Sequence, residues 1–382
     1  SSSGVANITT SGLGNIRFDS QSSIFIGVNT TLTTENGLIE MKANQQAVPT
    51  SGSFTGVSVG GLVRSTGAGQ IALYGRGGDT GNNQIGVSVA GDIEAGPGGL
   101  AYLEGTGGAS SGNNNYGIFC AVSGSPSITS GGGITLIGTG GGTGSSSTSN
   151  GVDIGANTVI SAPDFGVTIQ GTGAATAGDN DGVRISATGG VSTSNGGISV
   201  TGTGRGFGNG VEMFNGGFLS AGGVIVVNGT AEAPGAANVS GANGVYMQDA
   251  NTRIVSTGGY VTVTGTGGGA GTGNNNHGID IRTPAQISAG GGPIASSLTG
   301  TGGNSAGTGT PNNGISINGS VASVGSLPLN ITGTEGGGST SAAIDINAGT
   351  VSTASGNLFL TGDSMRFQNA AAIGNQAAGS VF

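Results

Sequence analysis

The chain has 382 residues, of which 87 are Gly, and carries only 9 Lys and Arg against 18 Asp and Glu. A hydrophobic fraction of 34% with so little charge does not fit a disordered chain, and Gly off a three-residue period excludes collagen. A net charge of −9 with few basic residues argues against nucleic acid, whose phosphates need Lys and Arg.

Read in chain order, the first elements are short alternating stretches, Asn7-Ile8-Thr9 and Ile16-Arg17-Phe18. A tetrad of small residue, aliphatic, variable, aliphatic follows at Ser23-Ile24-Phe25-Ile26 and recurs from residues 56, 86, 117, 151, 182, 210, 244, 278, 314 and 343. Eleven tetrads over (343 − 23)/10 give a mean period of 32 residues. After each tetrad comes a second stretch, such as Ile128-Thr129-Ser130 or Val351-Ser352-Thr353. A third stretch follows, such as Val167-Thr168-Ile169 or Val261-Thr262-Val263, and it commonly ends in Gly-Thr-Gly. Period-two alternation over so few residues means short strands with one buried face, and the Gly, Asn and Ser clusters between them mean turns.

Three short strands per period predict a right-handed parallel β-helix of about eleven coils. It should form a single domain over residues 1–382 with incomplete coils at both ends. A propeller would need four strands per blade and aromatic signatures, and the chain has no Trp. No apolar run approaches the ~18 residues of a membrane helix, and 4% aromatics cannot build the girdles of a membrane barrel.

Chemistry-bearing residues are sparse. The single Cys, Cys120, falls in the inward column of its tetrad, level with Val89 and Ile154, and reads as a buried apolar thiol. The single His, His277, lies in Asn274-Asn275-Asn276-His277-Gly278 and reads as a solvated loop residue. Asp179-Asn180-Asp181 is the tightest acidic cluster. It makes Asp179 and Asp181 weak candidates for calcium, although the repeated calcium-loop motif is absent. No catalytic set and no cofactor motif emerges. Asn115, Asn150, Asn180, Asn209, Asn243, Asn276 and Asn313 close the loops before the tetrads. They are expected to tolerate left-handed backbone and to bond amide to amide between coils.

Blocks such as Gly196-Gly197-Ile198-Ser199-Val200-Thr201-Gly202-Thr203-Gly204 and Asn276-His277-Gly278-Ile279-Asp280-Ile281 resemble the β-helical repeats of filamentous-haemagglutinin-type adhesins and autotransporter passengers. The resemblance covers essentially the whole chain. It implies an extracellular, non-enzymatic stalk or fibre on a bacterial surface, and it transfers no binding residue. The partners expected are further copies or further coils joined through open ends, and surface glycans, with no membrane insertion. No capping segment is visible at Val5 to Ile8 or at Val381-Phe382, and no signal peptide precedes the repeats, so the chain reads as a mature segment. The alternatives are a polysaccharide-binding or polysaccharide-cleaving β-helix and an ice-binding protein. The latter rests on Thr-x-Thr pairs, of which Thr262 and Thr264 are the clear instance.

Register is also predicted by charge. Arg17 and Asp19 should lie one coil from Glu40 and Lys42, and an exposed ladder should run Asp153, Arg184, Glu212.

Overall fold

The computed structural model describes residues 6–120, 124–155, 157–232, 239–269, 272–303 and 311–375. Val5, Val381 and Phe382 lie outside the described residues. Among the described residues every regular element is a strand.

The strands stack into three parallel sheets, one for each stretch of the repeat. The first sheet holds the tetrads, twelve strands from Ile24–Ile26 to Met365–Gln368. The second runs from Ala6–Thr9 to Ala372–Asn375, and the third from Ile16–Ser20 to Leu358–Thr361. Each strand pairs with its equivalent one coil away, as Val152, Asp153 and Ile154 do with Val183, Arg184 and Ile185. The molecule is therefore a β-solenoid in which successive coils add about 4.8 Å of length.

All eleven tetrads are first-sheet strands. The sequence pattern missed a twelfth, Met365–Gln368, which pairs with Ile344–Asn347. Its coil is only 21 residues long, as the Arg366–Asp345 separation shows, and the shortened period hid it.

One apolar cluster extends from Ile16 to Leu358 and forms the core. Inward positions of all three sheets, among them Leu73, Ile118, Ile160, Val200 and Ile281, are fully buried. Alternation places their neighbours outside, so a coil buries half of each strand and relies on the coils above and below to complete the enclosure. The turn between the second and third strands is closed by an inward hydroxyl. Thr193 Oγ1 donates to the Gly196 carbonyl at 2.6 Å, and Thr353 Oγ1 to that of Gly356 at 2.7 Å. These bonds satisfy carbonyls that the tight corner would otherwise bury unpaired.

The glycine of Gly-Thr-Gly is required by a close approach. A Cβ on Gly171 would lie 2.0 Å from the Gly182 carbonyl oxygen, and one on Gly182 would lie 2.2 Å from the Thr203 nitrogen. The third strand and the next tetrad thus meet backbone to backbone, with no room for a side chain between them.

Candidate functional site

Two features of the outer surface depart from plain Ser, Thr and Gly: the outward column of the first sheet, and the loop residues that precede each tetrad.

The outward column carries Asp153, Arg184, Glu212, Tyr246, Asp280, Ser316, Asp345 and Arg366 in successive coils. Arg184 Nη1 lies 3.3 Å from Asp153 and Arg184 Nε 3.5 Å from Glu212, the ladder predicted from the sequence. The ladder is less exposed than predicted, because the Asp153 side chain is only 4% accessible. Burial raises the Asp153 carboxyl above its usual range, with Arg184 and the Asn150 amide, 3.0 Å away, pulling against it. Farther along, Arg282 Nε bonds Asp280 at 2.9 Å while its guanidinium lies 4.8 Å over the Tyr246 ring. In the other predicted ladder, Arg17 reaches Glu40 at 3.3 Å, but Lys42 pairs with Glu40 in its own strand.

The residues before the tetrads form two hydrogen-bonded ladders of opposite direction. Immediately before the tetrad, each side chain accepts from the backbone N–H of the following coil. Asn150 Oδ1 accepts from Asp181, Asp181 Oδ1 from Asn209, Asn209 Oδ1 from Asn243, and Asn243 Oδ1 from His277. His277 Nδ1 then accepts from Asn313, and Asn313 Oδ1 from Ala342. One residue earlier the sense is reversed: Asn115 Oδ1 accepts from Gln84 of the preceding coil, and Asn276 and Asn312 act likewise. Stacked amides are therefore present as predicted, bonding mostly to backbone. Left-handed backbone is not their property, for positive φ falls on other residues, including Asn114 and Asn275.

This placement corrects the reading of His277. It is 5% exposed and occupies a rung of the ladder, where a neutral ring must present Nδ1 as an acceptor and carry its proton on Nε2. Burial accordingly lowers its pKa below the usual value. Cys120 is fully buried between Val89 and Ile154, as predicted, and burial pushes its thiol up to about 12.

Asp179 and Asp181 have different fates. Asp179 and Asn180 form a two-residue strand antiparallel to Arg205 and Gly206, which leaves Asp179 on the rim of a cavity. Asp181 points into the ladder, 3% exposed, with one oxygen taken by the Asn209 N–H at 2.7 Å. Its carboxyl is also hydrogen-bonded to Glu212. Desolvation, with Glu212 and Asp179 nearby, raises the Asp181 carboxyl well above the usual carboxylate range. Burial pushes Glu212 itself up to about 7, against the pull of Arg184. Among the described residues, no group of three or more His, Cys, Asp or Glu side chains is placed to hold a metal ion.

The cavity, of about 520 Å³, lies on the outer face of the first sheet. Glu212 and Tyr246 line it from adjacent coils of the outward column, Asn209 and Asn243 from the ladder, Asp179 and Phe207 from the loops. A smaller cavity of about 200 Å³ adjoins it through Arg282 and continues past Asp280 and Ser316 to Asp345. The sequence indicated the charged column only as a register device. That it floors a cavity depends on loop height, which no spacing rule reports.

The third sheet has a separate character. Its strands extend through Gly-Thr, so the recurring Thr is an outward strand residue. Thr201/Thr203, Thr264/Thr266, Thr299/Thr301 and Thr332/Thr334 form Thr-x-Thr pairs in a five-coil stretch whose remaining coil holds Asn228/Thr230. Such pairs are more frequent than the sequence reading allowed. Comparison of the chain with protein-family profiles, curated proteins and solved structures finds no match.

Proposed function

We propose that the chain is a structural β-solenoid, a segment of a stalk or fibre displayed outside a bacterial cell as part of a surface adhesin. The observation that carries this reading is the unbroken three-sheet ladder around one core from Ile16 to Leu358. A solenoid gains length in proportion to its chain, and eleven steps between twelve first-sheet strands give roughly 50 Å of rod. Parallel ladders in all three sheets resist bending, which suits a spacer that must hold something away from a surface. The mostly uncharged outer positions and the resemblance to filamentous-haemagglutinin-type repeats support the same reading. Negative-stain microscopy with analytical ultracentrifugation of the purified chain tests it. Stiff rods, single or joined end to end, are the expected result. Compact particles, or release of reducing ends from polysaccharides by the chain, would overturn it.

A second reading draws on the Thr-x-Thr pairs of the third sheet. Side chains about 4.8 Å apart between coils and about 6.7 Å apart along a strand make a regular grid of hydroxyls and methyls. That is the surface an ice-binding protein needs. Thermal hysteresis or inhibition of ice recrystallisation by the purified chain, lost on Thr264→Lys and Thr299→Lys, would support this reading, and its absence would dismiss it.

A further inference from the structure

The cavity on the first sheet poses a question that stacking alone does not answer. Four of the residues immediately before a tetrad are Asn, namely Asn150, Asn209, Asn243 and Asn313, and each accepts the interchain-like coil-to-coil bond without difficulty. Asp181 makes the same bond with a buried carboxyl that is also hydrogen-bonded to Glu212. An Asn there would complete the ladder equally well. Asp181 instead sets a second carboxyl beside Glu212, and Glu212 lines the cavity.

The lining defines the chemistry of an occupant. Asp179 and Glu212 offer carboxyl oxygens, and the ladder amides of Asn209 and Asn243 add polar surface beside them. Phe207, 46% exposed, and Tyr246 contribute apolar ring surface. The cation in the lining, Arg282, is tied to Asp280 at 2.9 Å and stacked on Tyr246, which leaves little free positive charge for a phosphate, sulfate or uronate. The adjoining cavity repeats the pattern with Asn275, Asn318 and Ser316 beside Asp280 and Asp345, the latter engaged by Arg366. Carboxyl groups mostly engaged by arginines, together with amides and ring faces along a groove, favour a ligand that is uncharged, rich in hydroxyls and extended.

We propose that this groove, running from Asp179 and Phe207 past Glu212 and Tyr246 to Asp345, binds a neutral glycan chain lying along the axis of the solenoid. Glu212 accepts hydrogen bonds from sugar hydroxyls, Asp181 holds it in place from behind, and Tyr246 and Phe207 cover the apolar faces of the sugar rings. The site does not depend on the stalk reading, because it is formed within consecutive coils of a single chain.

The test is isothermal titration of the full chain with cellohexaose, mannohexaose and chitohexaose, and with hexagalacturonate as the acidic counterpart. Saturable binding of at least one neutral hexasaccharide is expected, weakened about tenfold or more by Tyr246→Ala and by Glu212→Gln. Phe207→Ala changes only an exposed rim residue and keeps the test decisive if a floor variant fails to fold. It too should weaken binding. No binding of any neutral hexasaccharide at millimolar concentration would overturn the proposal, as would preference for hexagalacturonate or affinity unchanged in all three variants. None of these outcomes bears on rod formation, so the stalk reading stands or falls separately.

Discussion

Replacing Asp181 with Asn should make the protein more stable at neutral and alkaline pH, and the effect should have a characteristic pH dependence. In the native state Asp181 is 3% exposed, has its pKa raised by burial beside Glu212 and Asp179, and accepts from Asn209 at 2.7 Å. In the unfolded chain it ionises normally. Because the folded-state pKa is the raised one, this group's contribution is complete below about pH 4 and is lost as pH rises. While the native carboxyl keeps its proton, the loss proceeds at about 1.4 kcal/mol per pH unit. The loss levels off only where Asp181 itself ionises. An Asn side chain retains the rung, as Asn150, Asn209 and Asn243 do at 2.8–2.9 Å, and its amide can donate to Glu212. The variant should therefore match the wild type near pH 4 and outlast it increasingly as pH rises, until native Asp181 ionises. Thermal denaturation across this range, together with hydrogen exchange of the Asn209 amide, measures both the global and the local effect. Parallel pH profiles for the two proteins, or faster Asn209 exchange in the variant at pH 7, would refute the raised pKa of Asp181 and its place in the ladder.

Three further outcomes are expected. His277 has a lowered pKa, so its contribution to stability should be lost as pH falls below about 6.5, by up to about 1.4 kcal/mol per unit until it protonates; His277→Asn should remove this acid sensitivity in thermal melts. Gly171→Ala places a Cβ 2.0 Å from a backbone oxygen and should cost roughly 1–3 kcal/mol or prevent folding, seen as a lowered denaturation midpoint. Cys120 should react with thiol reagents only after unfolding, and Ile154→Asp, which buries a carboxylate between Cys120 and Ile185, should cost several kcal/mol; rapid labelling of the native chain would contradict the inward register.

The fold was legible because its signal repeats. A small residue followed by alternating, mostly β-branched apolar residues identifies a first-sheet strand almost alone, and eleven examples fix the period. Met365–Gln368 escaped because Ser364-Met365-Arg366-Phe367 ends in an aromatic and follows its predecessor by 21 residues. The burial of His277 escaped for a different reason. Asn276 and His277 lie in adjacent ladders of opposite direction, and sequence spacing does not show whether a loop side chain turns towards the coil above, the coil below or solvent. The Thr-x-Thr pairs were undercounted because Gly202, Gly265, Gly300 and Gly333 read as turn residues. They lie within strands, where the close approach of the next tetrad excludes a Cβ.

A solenoid presents the same positions in every coil, so each departure from the usual residue has a built-in control in its neighbours. The outward first-sheet position is Phe25, then Ser58 and Ser88, and from Phe119 onward it is charged or aromatic except at Ser316. The ladder position is Asn in four coils, yet Asp at Asp181 and His at His277. Both exceptions sit beside a cavity: Asp181 behind the Glu212 wall of the larger one, His277 in the lining of the smaller. Each replaces an amide with a titratable group, and the imidazole of His277 keeps its rung only while Nδ1 carries no proton. Stability of the stack gives no reason for either substitution, and local departures of this kind concentrate where a protein does something other than fold. The coils that break the pattern are therefore the ones in which a ligand should first be sought.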